Sequence, residues 1–239
     1  MPDSPALPES SLDTRGMDRA AVLAALRARV ARHSLAPEAG EIPLAPGLPG
    51  IARAAVHEIR ATSIGSGTAF SAMVLGRSGG TVLWISDDLL HAPWPPGLAA
   101  LGLTPDRLVL AQASRPMDAL WAMEEALRSP AISGVLLLGG AEPDLSAQRR
   151  LQLAAAAGGG VGLILRTEEE PPLAGTASRW RVGGIAGIGG LADPRWSLEL
   201  LRVRAGRPVG PWAVTWRASS GEIELDEETT AALLQTKAG

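Results

Sequence analysis

The sequence of 239 residues has no cysteine and a single lysine, Lys237. Without thiols there can be no disulfide framework, no thiolate catalysis and no zinc or iron–sulfur site held by sulfur. With one lysine, almost all positive charge rests on arginine, which matters wherever a compact ammonium is needed. No run approaches the roughly 20 apolar residues of a membrane span. Met1 to Ser11 is rich in Pro, Ser and acid and has neither the basic nor the apolar region of an export signal. A soluble, cytoplasmic protein without membrane contact is therefore expected. An excess of one charge is also lacking, since 22 basic against 25 acidic residues give a formal net charge of -3. No global field draws nucleic acid, so any DNA contact would need a local patch.

What is present reads as one core with appendages. Residues 1–16 have the composition of a disordered terminus. From Asp18 to His33 the apolar Val22, Leu23, Leu26 and Val30 recur at helical spacing, and Arg19, Arg27, Arg29 and Arg32 lie on the other face. This arm is either a helix with a solvated arginine face or a docking element for another subunit. Pro37, Pro43, Pro46 and Pro49 then make the stretch to Gly50 a linker, so residues 17–50 form arm plus tether.

The core is expected over 51–218. Ala54 to Ile59 reads as a buried strand, Arg60 to Gly67 as a loop, Thr68 to Arg77 as a helix and Thr81 to Ser86 as a second strand. A strand at Arg107 to Ala111 follows, then a helix opened by Pro116 and Asp118 with Leu120, Met123 and Leu127 as its buried stripe. Val135 to Leu138 and Val161 to Leu165 are apolar throughout, the mark of strands covered on both faces of a parallel sheet. Between them Ser146 can cap a helix that Gly158 can end. This alternation predicts an α/β fold with a mainly parallel sheet flanked by helices. After Ser178 the segments Trp180 to Val182, Trp196 to Arg204 and Trp212 to Arg217 predict a β-meander. The apolar phase slips from Leu200 to Leu201, which asks for a bulge or two-sided burial. Residues 219–239 form an acidic tail with Glu222, Glu224, Asp226, Glu227 and Glu228 and a short helix from about Asp226. Because Trp212, Val214 and Trp216 already make an apolar face, the tail is expected to be dispensable to the core and to offer Leu233 and Leu234 to a partner.

The loop after the first core strand is where P-loop NTPases hold phosphate. They use a glycine-rich turn, a lysine on the outer phosphates and a Ser or Thr on magnesium. Here it reads Ala61-Thr62-Ser63-Ile64-Gly65-Ser66-Gly67-Thr68. Against G-x-x-x-x-G-K-S/T, the first glycine is Ala61, the second is Ser66, the lysine is Gly67, and only Thr68 matches. Arg60 would not place its planar fork where an ammonium sits. Backbone amides at the helix start could still attract an anion weakly. A magnesium site also needs an acid at the end of a buried strand, yet Val135-Leu136-Leu137-Leu138 runs into Gly139-Gly140. No catalytic residue, cofactor or metal is therefore expected. His33, His57 and His91 are too scattered for a metal motif. Asp87 and Asp88 form a carboxylate pair or a solvated turn, and no serine has the G-x-S-x-G context of a nucleophile elbow.

The order of helix, linker, strand, degenerate P-loop, helix, strand and meander resembles the RecA core over about residues 17–217. Val56-His57-Glu58-Ile59 is similar to the strand entering its P-loop. Leu101-Gly102-Leu103-Thr104-Pro105-Asp106-Arg107-Leu108 is similar to the turn into its next strand. Trp121 to Ser129 resembles the helix before its magnesium-site strand, and Ala177 to Val182 the strand after its second DNA-binding loop. Within RecA-like proteins the chain resembles the ImuA family most. The likeness rests on Trp121-Ala122-Met123-Glu124-Glu125-Ala126-Leu127-Arg128, on Arg149 to Ala155, and on Arg195-Trp196-x-Leu198-Glu199-Leu200-Leu201-Arg202.

The resemblance implies a RecA-related accessory protein of damage-induced mutagenesis. Its implied partners are RecA, a Y-family-like polymerase subunit and an error-prone polymerase in translesion synthesis. It also implies a RecA-like N-terminal arm, on which Arg19 and Arg27 become partner contacts. The counterpart of the second DNA loop, Arg166 to Thr176, is short and carries Glu168, Glu169 and Glu170, which would repel phosphate, so DNA is expected to be met indirectly. Two alternatives stay open, a divergent RecA-like ATPase with an atypical loop and a cell-division inhibitor that binds a tubulin-like protein.

Overall fold

Strands that are apolar on both sides must be covered on both sides, and this requirement sets the architecture. The computed structural model describes residues 40–88, 93–139, 142–186, 193–204 and 206–238. In chain order the strands are β1 (Glu41–Ile42), β2 (Ile51–Ala52), β3 (Ala55–Ala61), β4 (Thr81–Ser86), β5 (Leu108–Gln112), β6 (Ile132–Leu138), β7 (Val161–Thr167), β8 (Ser178–Ile185), β9 (Arg195–Val203), β10 (Val209–Arg217) and β11 (Glu222–Asp226). The helices are α1 (Ile64–Gly76), α2 (Pro95–Ala99), α3 (Pro116–Arg128), α4 (Leu145–Gly158) and α5 (Glu227–Ala238), with a 3₁₀ turn at Pro105–Arg107 before β5. The arm over Asp18 to His33, with Arg19 and Arg27, lies outside the described residues, as does His91.

Nine strands form one sheet in the order β11-β10-β9-β8-β3-β7-β6-β4-β5. The pairs from β8 through β3, β7, β6 and β4 to β5 are parallel, and the meander from β8 to β11 is antiparallel. Helix α1 covers one face and is buried continuously from Phe70 to Leu75 because α2 and the β1–β2 hairpin pack in the same cluster. Helices α3 and α4 cover the other face through Leu120, Met123, Leu127, Leu151 and Ala155. At their carboxyl ends they touch through Gly158, where an added Cβ would meet the Leu127 carbonyl oxygen at 2.1 Å. Phe70 of α1 packs edge-on with Trp196 of the meander, with ring centres 6.0 Å apart. The phase slip is a bulge, since Trp180 pairs with Leu200 and Arg179 with Arg202, leaving Leu201 unopposed.

Several local expectations are corrected. The proline-rich linker becomes part of the core from Glu41, because β1 pairs with β2 and buries Ile42, Leu44 and Ile51 in the α1 cluster. Helix α4 is capped by Asp144, whose Oδ1 accepts the Ala147 amide at 2.7 Å, and not by Ser146, and it closes on the left-handed Gly159, not on Gly158. The tail is not an addition to a finished core. Its β11 pairs with β10 from Ala213–Asp226 to Arg217–Glu222 and buries Ile223 opposite Trp216. Helix α5 starts at the expected place, with the Asp226 carboxylate accepting the Thr229 amide at 2.9 Å, and it packs on β10, where Thr230 Oγ1 accepts the Ala213 amide at 2.8 Å. Leu233 is half-buried there and Leu234 exposed.

Candidate functional site

In open α/β sheets the functional crevice lies outside the carboxyl ends of the parallel strands. Here β3 runs to Ala61, two residues longer than the sequence suggests, and α1 begins at Ile64, four residues earlier. The expected eight-residue loop is reduced to Thr62 and Ser63. Ser63 has extended backbone angles (φ -146°, ψ 145°), and its Oγ accepts the Ser66 amide at 3.3 Å. Its carbonyl accepts the Gly67 amide at 3.1 Å and the Ser66 hydroxyl at 2.9 Å. The Thr62 amide donates to Val182 O of β8 at 3.0 Å. Three of the amides that a phosphate-binding loop would turn outward, those of Thr62, Ser66 and Gly67, are thus engaged by the β8 backbone and the capped helix start.

The positions of the degenerate motif separate sterically. Gly65 is exposed, and a Cβ there would meet nothing within 4 Å. Gly67 is buried, and a Cβ there would lie 2.4 Å from Leu165 Cδ1 and 2.6 Å from Ala61 Cβ. The position of the missing lysine is therefore the close contact between α1 and the sheet. Thr68 is half-buried in the helix.

At the end of β6, Gly139 is left-handed (φ 77°), and a Cβ there would come within 3.1 Å of Asp87 Oδ1. Asp87 is exposed at the end of β4, and the Asp88 amide donates to Ser86 Oγ at 3.3 Å. Among the described residues no group of three His, Asp or Glu side chains could hold a metal. His57 is buried, its Nε2 facing Ala52 O at 2.8 Å and its Nδ1 facing Ser178 Oγ at 2.7 Å. A carbonyl only accepts, so Nε2 carries the proton and Nδ1 accepts from the serine. Burial lowers its pKa from 6.5 to about 4, against the opposing pull of the Ala52 carbonyl. It is a neutral structural histidine.

On the opposite side of β3 lies an assembly that the sequence reading did not identify. Glu58 is fully buried and accepts Arg179 Nε at 2.6 Å, Arg60 Nη1 at 3.4 Å and the Leu173 amide at 3.1 and 3.2 Å. Arg60 pairs in register with Arg166 of β7, and its Nη2 donates to Glu168 O at 2.5 Å. The segment between β7 and β8 is also pinned by Gln148 Oε1, which accepts the Gly175 amide at 2.5 Å. Two of the three acidic residues expected to repel phosphate are engaged internally, Glu168 with Arg181 at 2.5 Å and Glu170 with Arg166 at 3.4 Å and with the Thr167 amide at 2.6 Å. Arg181 continues to Glu199 at 3.0 Å, and Glu199 to Lys237 of α5. Both cations hold the Glu199 carboxyl below its ordinary value, against desolvation, which is the largest influence and acts to raise it. The available signal was charge inside buried strands, at Glu58, Arg60 and Arg166, since buried charge requires a partner.

No family model matches the chain. Over 151 residues it is 38% identical to Protein ImuA of Caulobacter vibrioides strain NA1000 / CB15N, which covers 56% of this chain and 60% of that protein, and the same figures hold for strain ATCC 19089. The chain thus matches less than two thirds of the length of these relatives. It is 35% identical over 113 residues to a cell division inhibitor SulA of Edwardsiella piscicida, covering 44% of this chain and 64% of that one. The solved RadB recombinase superposes with a TM-score of 0.54 over 73% of this chain and 92% of that chain at 13% identity, so the fold is RecA-like.

Proposed function

We propose that this chain belongs to the ImuA family and is a RecA-like accessory protein of damage-induced mutagenesis that works by binding other proteins and not by hydrolysing ATP. The observation that carries the reading is the strand-to-helix junction. Helix α1 begins directly after the Ser63 cap, its Ser66 and Gly67 amides are taken by Ser63, and Gly67 leaves no space for the lysine that phosphoryl transfer uses. The run of Leu138 directly into Gly139-Gly140, where a magnesium site would place an acid, supports the same conclusion. The partners are RecA and a Y-family-like polymerase subunit, with an error-prone polymerase reached through them during translesion synthesis in the cytoplasm, and DNA is met mostly through these partners. Leu233 and Leu234 on α5, and Arg19 and Arg27 near the N-terminus, are the proposed contacts.

Two measurements test this. Purified protein should show no ATP turnover above background with or without single-stranded DNA, and no melting shift with Mg-ATP. DNA-stimulated turnover abolished by Thr68→Ala would establish the divergent ATPase instead. Pulldown from DNA-damaged cells should recover RecA and the polymerase subunit, and Leu234→Asp should weaken capture while leaving the melting temperature unchanged. The SulA likeness favours one second reading, a cell-division inhibitor acting on a tubulin-like protein. Filamentation on expression without any effect on mutagenesis would select it.

A further inference from the structure

The two ends of the nine-stranded sheet are finished differently. At one end β11 carries a carboxylate at every second position, Glu222, Glu224 and Asp226, so another edge of the same kind is repelled. At the other end β5 reads Leu-Val-Leu-Ala-Gln over Leu108–Gln112, pairs with β4 on one side and with no described strand on the other. It has no charge, proline or bulge to blunt it. Val109 is 47% and Leu110 38% exposed, one on each face, and Met117 and Trp121 of the adjacent α3 are 68% and 66% exposed. Trp121, Gln112, Arg115 and Asp118 help to line a groove of about 540 Å³ beyond the end of the strand.

We propose that β5 is a homodimer interface, with two copies of this chain pairing their β5 strands antiparallel about a two-fold axis through Leu110. In this register Leu110 faces Leu110, Val109 faces Ala111 and Leu108 faces Gln112, so no charge opposes a like charge within the strand. Past its ends Asp106 falls opposite Ser114, beside Arg115 of the other copy. Arg115 is 81% exposed and held by Asp118 at 2.7 Å. Arg107 does not confront it, because its guanidinium turns inward onto the carbonyls of Gly80 and Gly76 at 3.0 and 2.9 Å. The antiparallel arrangement thus sets the cation past one end of the strand against the carboxylate before the other, twice by symmetry. It also brings the 3₁₀ turn of each copy to the mouth of the groove beside Trp121. This charge arrangement and the uncharged strand favour a second copy over an unrelated segment.

Sedimentation velocity of the full chain through the micromolar range reads the proposal directly, and the expected result is a concentration-dependent dimer. Val109→Lys should shift it to monomer with the far-ultraviolet spectrum unchanged. Asp106→Arg and Arg115→Glu should each weaken the dimer by up to roughly tenfold, as two solvent-exposed ion pairs would, and the double charge swap should recover it. A chain that stays monomeric, a dimer that survives Val109→Lys, or a double variant no tighter than either single one overturns the proposal. A monomer whose Val109→Lys variant loses capture of RecA would assign this edge to another protein and overturn it equally.

Discussion

Gly67 stands where a phosphate-binding loop carries its lysine, and restoring a side chain there tests whether the site is only mutated or has been structurally filled. An added Cβ falls 2.4 Å from Leu165 Cδ1 and 2.6 Å from Ala61 Cβ. Leu165 is itself buried and Ala61 Cβ is fixed to the β3 backbone, so α1 would have to lift from the sheet. For Gly67→Ala, overpacking costs about 1–3 kcal/mol, while alanine in place of glycine in a helix returns about 1 kcal/mol. The expected net loss reaches about 2 kcal/mol, or roughly 4–8 °C in melting temperature for a chain of this size. Gly65→Ala is the internal control. Its Cβ meets nothing, so the helix gain of up to about 1 kcal/mol stands unopposed and the protein is stabilised. Gly67→Lys should lose more than Gly67→Ala and should gain no Mg-ATP binding, because the Ser66 and Gly67 amides still point to Ser63. Urea denaturation of the three variants, with melting curves with and without Mg-ATP, measures all of this. A Gly67→Ala protein as stable as Gly65→Ala, or a Gly67→Lys protein that binds Mg-ATP, would refute the steric reasoning.

Two further outcomes are expected. Ile223→Ala should cost about 2–5 kcal/mol as a buried truncation, and cutting the chain after Ala218 should lower the melting temperature further by removing β11 and α5; an unchanged melting temperature in both would return the tail to an independent docking segment. His57 titrates near 6.5 when unfolded and at about 4 when folded, so the unfolded chain binds the extra proton between those values. Its contribution to stability is complete above pH 6.5, falls by about 3 kcal/mol as the pH drops toward 4, and changes no further below that. Denaturation midpoints of wild type and His57→Gln should converge across that window, and parallel pH profiles would contradict it.

The centre of the parallel sheet was legible because Val135–Leu138 and Val161–Leu165 repeat one signal, apolar on both faces, and α3 because Leu120, Met123 and Leu127 keep helical spacing behind Pro116. The bulge at Leu201 was visible as a broken alternation. The start of α1 was not, since Gly65 and Gly67 read as loop residues until Leu165, distant in sequence, shows that Gly67 is glycine for packing. Prolines 43, 46 and 49 hid the hairpin in the same way, their local preference outweighing the buried Ile42 and Ile51 that join them to the core. In β11 the alternation Glu222-Ile223-Glu224-Leu225 was a strand signal masked by acidity. The Glu58 assembly joins residues more than a hundred positions apart, so sequence announces only that a buried charge needs a partner, not which one.

The one lysine of the sequence, on α5 and bound to Glu199, has a practical consequence. Amine-coupling chemistry finds a single side chain on this protein. Molecules immobilised through it, and not through the chain's α-amine, would be held with α5 against the support and the Glu199 contact broken. A biosensor prepared in that way would conceal the helix proposed to dock, and a negative binding result from it would report the attachment and not the protein. Arginine-directed or affinity-tag capture avoids the artefact. Conversely, a dye placed on Lys237 would report at one defined point whether α5 moves when a partner arrives.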